Sequence, residues 1–323
     1  MAVRKPYFAA MSQPKTLSTV LRRPKIQTNS PVWMPISMKF TLTFVSLLFL
    51  TEAVMGADPK FKDVEYAAVG DVVLKLDIYR PPEAKNAPLV VWVHGGAWRA
   101  GSKNRVPVVR LLDHGFAIAS VDYRLSPVAK FPAQIHDIKA AIRFLRTHAD
   151  SYHFDAKRFV VAGSSAGGHL AALVGVTNGV VELEGNVGDH VGVSSDVQGI
   201  VSFFGAANLQ SILSQSTPHG LSVRVPALEL LLGGQPDQQA ELAKLASPVS
   251  HVDISDPPLL LIHGDQDPQM PINQAHELHG KYKQLGLSVE FEVVHGGAHG
   301  GKGFFEDKML DRVAQYLESG DWK

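Results

Sequence analysis

The chain has 323 residues, no cysteine, and 31 basic side chains against 31 acidic ones. A length of this order suits one large α/β domain or two small ones, and the lack of cysteine excludes disulfides, thiolate nucleophiles and cysteine-ligated metals. Residues 1–56 contain seven of the basic side chains and one acid, so the remainder carries a net charge of −6, and a mildly acidic body without a basic patch argues against nucleic acid as a partner.

The first 57 residues have the pattern of a targeting segment. Residues 1–37 are basic, contain prolines and show no hydrophobic period, so we expect them to be disordered or to precede the true start at Met38. An apolar run of eleven residues follows at 40–50, which is shorter than the roughly 20 residues that span a bilayer. Residues 38–57 therefore predict a signal peptide, and hence a secreted or periplasmic protein without a stable membrane anchor.

From residue 61 the hydrophobic pattern alternates between strands and helices. Apolar and polar residues alternate over 61–67 and 72–79, which predicts an antiparallel hairpin. Further strands are predicted at 89–93, 116–121, 158–162, 197–204, 259–263 and 289–293, and helices at 106–114, 133–148, 169–174, 273–285 and 304–317. This repetition indicates one α/β domain over 58–323, with a mostly parallel central sheet and helices on both faces.

Two stretches interrupt the alternation, at 177–196 and at 205–251. The first is rich in Gly, Asn and Asp, and the second contains short helical fragments at 225–232 and 237–246. Both follow strands at the carboxyl edge of the sheet, where ligands bind in open α/β sheets. Each is either loop decoration or part of a small cap that shapes a substrate pocket, and the second stretch favours the cap.

Residues 163–167, Gly-Ser-Ser-Ala-Gly, have the pattern G-x-S-x-G between a predicted strand and a predicted helix. A strand that turns abruptly into a helix forces its central residue into a strained backbone conformation, and only small neighbours fit there. The hydroxyl of Ser165 then projects from the top of the sheet, at the helix N-terminus. We therefore predict Ser165 as a nucleophile, because its competitor Ser164 lies off the centre of the pattern.

A glycine-rich loop, His-Gly-Gly-Ala-Trp at 94–98, directly follows the predicted strand 89–93. Residues with little or no side chain let backbone N–H groups approach a ligand closely, as stabilisation of a tetrahedral oxyanion requires. We assign these donors to Gly96 and Ala97, together with Ala166 next to the nucleophile. Trp98 is predicted to contact the substrate.

Two loops late in the chain offer an acid and a base, in the order that follows a G-x-S-x-G serine. Asp265 and Asp267 follow the strand 259–263, and we choose Asp267 as the acid because Asp265 has the position of a turn residue. His295 and His299 follow the last strand. We choose His299 as the base because the glycines before it let the backbone turn back across the sheet edge.

Other polar residues are assigned structural roles. Arg124 follows a buried strand and Asp137 opens a buried helix, so we expect the two to pair beneath the site. None of the histidines has metal-ligand spacing, and the predicted chemistry needs neither a metal nor an organic cofactor. The histidines expected to pack or to lie at the surface are His136, His148, His169 and His263.

With the order Ser165, Asp267, His299 and the loop at 94–98, the chain resembles α/β-hydrolase enzymes. More narrowly, it resembles the hormone-sensitive-lipase-like carboxylesterases and the bifunctional feruloyl and acetyl xylan esterase group. The similarity covers residues 61–318 and includes Leu76-Asp77-Ile78-Tyr79, Asp122-Tyr123-Arg124-Leu125, Phe131-Pro132-Ala133 and the segment 163–170. One departure is Ala97, which stands where many relatives have a third glycine.

The resemblance implies an exported serine carboxylic-ester hydrolase that forms an acyl-enzyme. Its implied partner is a small ester or an acylated polysaccharide bearing acetyl or feruloyl groups. Two other functions stay open at this point. One is an amidase, formamidase or peptidase-like hydrolase of the same fold, and the other is a non-catalytic binding protein on this scaffold.

Overall fold

The computed structural model describes residues 58–320, so the predicted disorder and signal peptide of residues 1–57 lie outside it. Over that range the sheet strands are β1 (Phe61–Val69), β2 (Val72–Tyr79), β3 (Ala87–Val93), β4 (Ala117–Val121), β5 (Phe154–Ser164), β6 (Gly199–Phe203), β7 (Leu259–Gly264) and β8 (Val289–Val294). The α-helices are α1 (Ala133–Thr147), α2 (Ala149–Tyr152), α3 (Ala166–Gly175), α4 (Val181–Glu184), α5 (Ile212–Gln215), α6 (Pro218–Leu232), α7 (Ala240–Leu245), α8 (Asn273–Gln284) and α9 (Asp307–Ser319). Two 3₁₀ helices cover Val109–His114 and Pro248–Ser250. No helix within residues 58–320 has the length and apolar character needed to cross a membrane.

The strands form one sheet in the order β1-β2-β4-β3-β5-β6-β7-β8. The β1–β2 and β2–β4 pairs are antiparallel, and the pairs from β4 to β8 are parallel. This confirms both the predicted hairpin and the mostly parallel sheet. Because β4 and β5 lie on opposite sides of β3, the chain reverses its direction of winding there, and ligands bind at such a point in open α/β sheets.

The central strands are buried on both faces, which explains their continuous apolar runs. In β3, Leu89 and Val91 pack with α1, α3 and α8 on one face. Trp92 packs with the first 3₁₀ helix and α9 on the other face. Burying one such Val or Leu side chain contributes about 1.5–3 kcal/mol, so the two cores hold the sheet as a rigid platform.

Three helices begin at positions that differ from the predicted bounds. The helix α3 begins at Ala166 instead of 169, because the small residues after the nucleophile already belong to its first turn. The helix α9 begins at Asp307 instead of 304, since Phe304 is fully buried and Glu306 is extended. The 3₁₀ helix after β3 begins at Val109 instead of 106 and ends at His114, as predicted, where Gly115 caps it with a left-handed φ of 82°.

The two insertions are attached to different parts of the domain. The stretch 177–196 is fastened to α1, where the carboxylate of Glu184 pairs with the fully buried cations of Lys139 and Arg143. The stretch 205–251 contains α5, α6 and α7. In this second stretch, α6 packs so closely on the loop after β7 that a side chain at Gly220 would meet the Gln269 carbonyl oxygen at 3.0 Å.

The predicted pair of Arg124 and Asp137 is confirmed. Nη2 of Arg124 lies 2.7 Å from Oδ1 of Asp137, and the carboxylate also accepts the Arg124 backbone N–H at 2.9 Å. The Asp137 side chain has no exposed surface. The pair therefore ties the segment after β4 to α1.

Candidate active site

Ser165 lies at the sharp turn between β5 and α3, with φ 55° and ψ −119°. A non-glycine residue with positive φ is strained and persists only where its surroundings enforce it. Here the surroundings require glycine on both sides. A Cβ at Gly163 would lie 2.3 Å from the Gly167 carbonyl oxygen, and one at Gly167 would lie 2.0 Å from that of Val93. The G-x-S-x-G pattern thus lets the turn approach β3 closely enough to present the hydroxyl.

The loop after β3 lies directly against the nucleophile. A Cβ at Gly95 would meet the Ser164 carbonyl oxygen at 2.8 Å and the Ser165 Cβ at 3.3 Å. The next two residues have positive φ, 116° at Gly96 and 53° at Ala97. At this φ the methyl group of Ala97 strains the backbone, and such strain persists only where the surrounding structure holds the loop in place. The loop is therefore more rigid than a turn made of glycines alone.

Three backbone amides beside Ser165 have no partner in the part of the chain that the structure describes. They are the N–H groups of Gly96, Ala97 and Ala166, none of which donates to a backbone or side-chain acceptor there. Two belong to the loop after β3 and the third is the first residue of α3, where helix geometry leaves the N–H without an intrahelical acceptor. Groups of this kind are available as donors to a ligand oxygen.

His299 bridges the nucleophile and the acid. Its Nε2 lies 2.8 Å from the Ser165 Oγ, and its Nδ1 lies 2.7 Å from Oδ2 of Asp267. This arrangement requires a proton on Nδ1, donated to the carboxylate, and leaves Nε2 as the acceptor of the serine hydroxyl proton. The ring is fixed further by edge-on contact with Phe204, at 4.8 Å between ring centres.

The carboxylate of Asp267 is held by several donors. Its Oδ1 accepts the backbone N–H groups of Gln269 and Met270, each at 2.8 Å, and Nε2 of His263 lies 3.5 Å from Oδ2. Burial by itself raises the pKa of Asp267, but the hydrogen bonds from His263 and His299 outweigh it, so the pKa lies well below its usual range. Asp267 therefore stays ionised beside His299.

Burial lowers the pKa of His299, and the neighbouring carboxylate of Asp267 only partly offsets this. The ring is therefore neutral near pH 7, as a general base must be before the reaction. The two loops that carry these residues are joined by a backbone bond of 3.0 Å from Gln266 N–H to the Gly297 carbonyl oxygen. That bond fixes the spacing between acid and base.

The competing residues form a separate pair. Nδ1 of His295 lies 2.9 Å from Oδ2 of Asp265, and Oδ1 of Asp265 accepts the Gly296 N–H at 2.7 Å. The His295 side chain is 86% exposed. This pair closes the turn between the two loops, in agreement with the turn role predicted for Asp265, and of the two histidines the structure brings His299 to Ser165.

Trp98 requires a correction. It was predicted to contact the substrate, but its side chain is fully buried and packs edge-on against the ring of His169, with 5.3 Å between ring centres. Its indole N–H donates to Nδ1 of His169 at 3.1 Å, and Nε2 of His169 donates to the Ala246 carbonyl oxygen at 2.7 Å. Burial lowers the pKa of His169 to about 4, so this bridge is neutral. Trp98 therefore supports from behind the loop of residues 94–97, which we call the oxyanion loop after its predicted role.

The sequence could not show this support, because His169 and Trp98 are 71 positions apart. His263 is also buried, as predicted, with Nε2 lying 2.9 Å from the Met270 carbonyl oxygen. Within residues 58–320, no group of three or more histidine and acidic side chains is arranged to hold a metal ion. The arrangement around Ser165 contains a nucleophile, a base, an acid and backbone donors, which together are the elements of acyl transfer.

Comparison with known proteins gives similarities to esterases. A family model described as BD-FAE matches residues 76–282. A bifunctional GH43-CE structure from Bacteroides eggerthii has a TM-score of 0.72 and 36% identity, covering 80% of this chain and 35% of that one. A truncated carbohydrate esterase from gut microbiota has a TM-score of 0.71 and 33% identity, covering 80% and 94%.

Among curated proteins, Esterase LipC of Mycobacterium tuberculosis is 32% identical over 232 residues, which is 70% of this chain and 56% of LipC. The chain spans about half the length of the first curated relatives it matches. The family model matches residues 76–282, a range that includes the strand and turn of Ser165 and the loop of Asp267.

Proposed function

Because the chain belongs to the BD-FAE family of α/β-hydrolase esterases, we propose that it is a serine carboxylic-ester hydrolase acting on acylated polysaccharide. The acyl groups in this proposal are acetyl and feruloyl. One observation carries it, the hydrogen-bond chain from Ser165 Oγ through His299 to Asp267, with lengths of 2.8 and 2.7 Å. A neutral imidazole between a hydroxyl and an ionised carboxylate is the arrangement that activates a serine for attack on an ester carbonyl.

In acylation, the Ser165 oxygen attacks the ester carbonyl while its proton passes to Nε2 of His299. The imidazolium that forms is stabilised by the carboxylate of Asp267, which stays ionised throughout. His299 then donates the proton to the leaving alcohol, and an acyl group remains on Ser165. Proton transfer of this kind contributes about 10²–10⁴-fold to the rate.

The tetrahedral intermediate carries negative charge on the former carbonyl oxygen. The amides of Gly96, Ala97 and Ala166 have no other acceptor within residues 58–320, and in this mechanism they donate to that oxygen. One such donor is worth about 2.7–4 kcal/mol of the barrier. Deacylation repeats the same steps with water as the nucleophile, and His299 takes the proton from that water.

The polysaccharide part of the proposal is supported by the names of two similar solved structures. One is a truncated carbohydrate esterase from gut microbiota, and the other is a bifunctional GH43-CE structure from Bacteroides eggerthii. Ser165 keeps 9% of its surface exposed, so it is not sealed from solvent, as any ester substrate requires.

The test measures release of acetate and ferulate by the purified protein. We expect acetate from acetylated xylan or ferulate from feruloylated arabinoxylan, together with hydrolysis of p-nitrophenyl acetate, and no release by Ser165→Ala. Hydrolysis of p-nitrophenyl acetate without release of acetate or ferulate from polysaccharide would contradict the proposed polysaccharide substrate. It would leave the proposed ester hydrolase activity standing. Faster cleavage of p-nitroacetanilide than of p-nitrophenyl acetate would favour an amidase instead.

Export belongs to the same proposal, since a polysaccharide substrate lies outside the cytoplasm. Its support is the basic start and the apolar run of eleven residues after Met38. The exported protein is expected to begin near Ala57. N-terminal sequencing of protein recovered outside the cytoplasm tests this, and an intact segment 1–56 on that protein would contradict it.

A further inference from the structure

Arg224 is a buried cation beside the site that the mechanism above does not use. It lies on α6, in the second insertion, and only 1% of its surface is exposed. Its guanidinium carbon stands 5.9 Å from the centre of the Trp98 ring, and its Nε donates a long hydrogen bond of 3.4 Å to the Gln269 carbonyl oxygen. Arg224 thus lies between Trp98, which supports the oxyanion loop, and the loop that carries Asp267.

One nitrogen of the Arg224 guanidinium has no partner in the part of the chain that the structure describes. This nitrogen, Nη1, is fully buried, and no acceptor within residues 58–320 bonds to it. The carboxylate of Asp267 bonds to the neutral ring of His299 at 2.7 Å and lies 3.5 Å from Nε2 of His263. Buried charges are ordinarily paired and hydrogen-bonded because their desolvation is costly. A buried cation with an unsatisfied N–H, whose charge acts on both Asp267 and His299, therefore indicates an acceptor that arrives with the substrate.

The electrostatics around Arg224 favour an anion as that acceptor. Burial lowers the pKa of Arg224 to about 10, so the side chain is still charged at neutral pH. Arg99, in the loop after β3, adds a second positive charge that acts on it. Asp267 supplies one negative charge that acts on Arg224, and His299 is neutral. Arg224 and Arg99 therefore place two positive charges against one negative charge.

We propose that Arg224 recognises a carboxylate on the ester substrate, carried by either its acyl part or its alcohol part. The planar fork of N–H donors in a guanidinium matches the two oxygens of a carboxylate. Such a ligand gives Nη1 its missing acceptor and balances the excess charge. The substrate class is then a monoester of a dicarboxylic acid or an acylated uronate within a polysaccharide. This inference rests on the proposed ester hydrolase function and narrows its substrate.

A carboxylate bound at Arg224 also acts on the chemical step. Burial is the main cause that lowers the pKa of His299, and the positive charge of Arg224 lowers it further. That charge opposes the imidazolium that forms during acylation. A bound carboxylate offsets the charge of Arg224. A charged substrate should therefore have a higher kcat as well as a lower KM than its neutral counterpart. An arginine that only braced the Gln269 loop would give no such preference.

The experiment compares charged and neutral esters of matched shape. On the acyl side, monoethyl succinate is paired with ethyl succinamate. On the alcohol side, an acetylated methyl glucuronoside is paired with its glucuronamide. We expect kcat/KM for the carboxylate to exceed that of the amide by about 10- to 100-fold in one of the two pairs, as a charge-assisted hydrogen bond implies. Equal values in both pairs, with the neutral esters still hydrolysed, overturn the inference and leave the esterase function standing.

The variant Arg224→Gln should bring the carboxylate-to-amide ratio close to one, and Arg224→Lys should keep part of it. Arg146→Gln is the matched control, because Arg146 is a partly buried arginine on α1 that donates to backbone carbonyl oxygens, such as that of Ala156 at 3.1 Å. The carboxylate-to-amide ratio of kcat/KM in Arg146→Gln should equal that of the wild type. An unchanged ratio in Arg224→Gln contradicts the inference.

A measurement on the unmodified protein covers the case in which Arg224→Gln does not fold. The free acid product should inhibit hydrolysis of a neutral ester more strongly than its amide does. The probes are succinate against succinamide, and glucuronate against glucuronamide. Equal inhibition within both pairs overturns the inference. If the protein does not hydrolyse the neutral ester even without an inhibitor, the proposed ester hydrolase function is rejected instead.

Discussion

Replacing Asp267 with asparagine removes the charge behind His299 while keeping the size of the side chain. The Oδ1 of Asp267 accepts two backbone N–H groups at 2.8 Å, from Gln269 and Met270. An asparagine keeps both bonds only with its amide oxygen in that position. Its NH₂ group then lies where Oδ2 was, 2.7 Å from Nδ1 of His299.

Two N–H groups cannot bond to each other, so His299 in Asp267→Asn must move its proton from Nδ1 to Nε2. Nε2 is the atom 2.8 Å from the Ser165 Oγ, and once protonated it cannot take the serine proton. The same substitution in serine proteases lowers kcat about 10⁴-fold, which corresponds to about 5.5 kcal/mol of barrier. We expect a loss of this size.

The assay is steady-state hydrolysis of p-nitrophenyl acetate by Asp267→Asn, with thermal unfolding as a check on the fold. Asp265→Asn is the matched control, because Asp265 lies two positions away and bonds the exposed His295. It should keep activity within about threefold of the wild type, as expected for a surface pair of small energy. A folded Asp267→Asn with more than about a tenth of wild-type activity, or a larger loss in Asp265→Asn, would refute the assignment of the acid.

Three further predictions concern the base and the turn. His299→Ala should abolish the acylation burst whereas His295→Ala, whose side chain is 86% exposed in the wild type, should keep most of it; a full burst in His299→Ala contradicts the choice of base. The acid limb of kcat/KM should have its midpoint below the ordinary histidine value of 6.5, because burial lowers the pKa of His299 and only the neutral ring is a base; a midpoint above pH 7 would show the opposite shift. Gly167→Ala should destabilise the protein by about 1–3 kcal/mol or more in denaturant titration, since its Cβ would lie 2.0 Å from the Val93 carbonyl oxygen, whereas Gly192→Ala, with nothing within 4 Å, should be neutral.

Much of the fold was predictable because buried strands and helical stripes leave periodic signals. The run of apolar residues in β3 and the spacing of glycines around Ser165 indicate a buried strand and a sharp turn without any tertiary information. Asp267 was chosen over Asp265 because it lies farther along the chain from the end of β7, whereas Asp265 has the position of a turn residue. The structure brings together the residues chosen on these grounds.

The parts that could not be predicted depend on contacts between distant segments. Trp98 follows the oxyanion loop, and nothing local indicates that His169 receives its indole N–H. Arg224 precedes the helical fragment expected at 225–232, and an arginine is a surface residue by default. Its burial results from the packing of α6 on the loop after β7, which is set by the whole insertion.

Covalent labelling by a fluorophosphonate tests the central claim most directly, because only an activated serine reacts quickly with it. The labelled protein is examined by intact mass and then by peptide mapping. We expect one adduct, on Ser165, which disappears in Ser165→Ala and persists in Ser164→Ala. An unlabelled, folded wild-type protein, or an adduct on Ser164, would contradict the account.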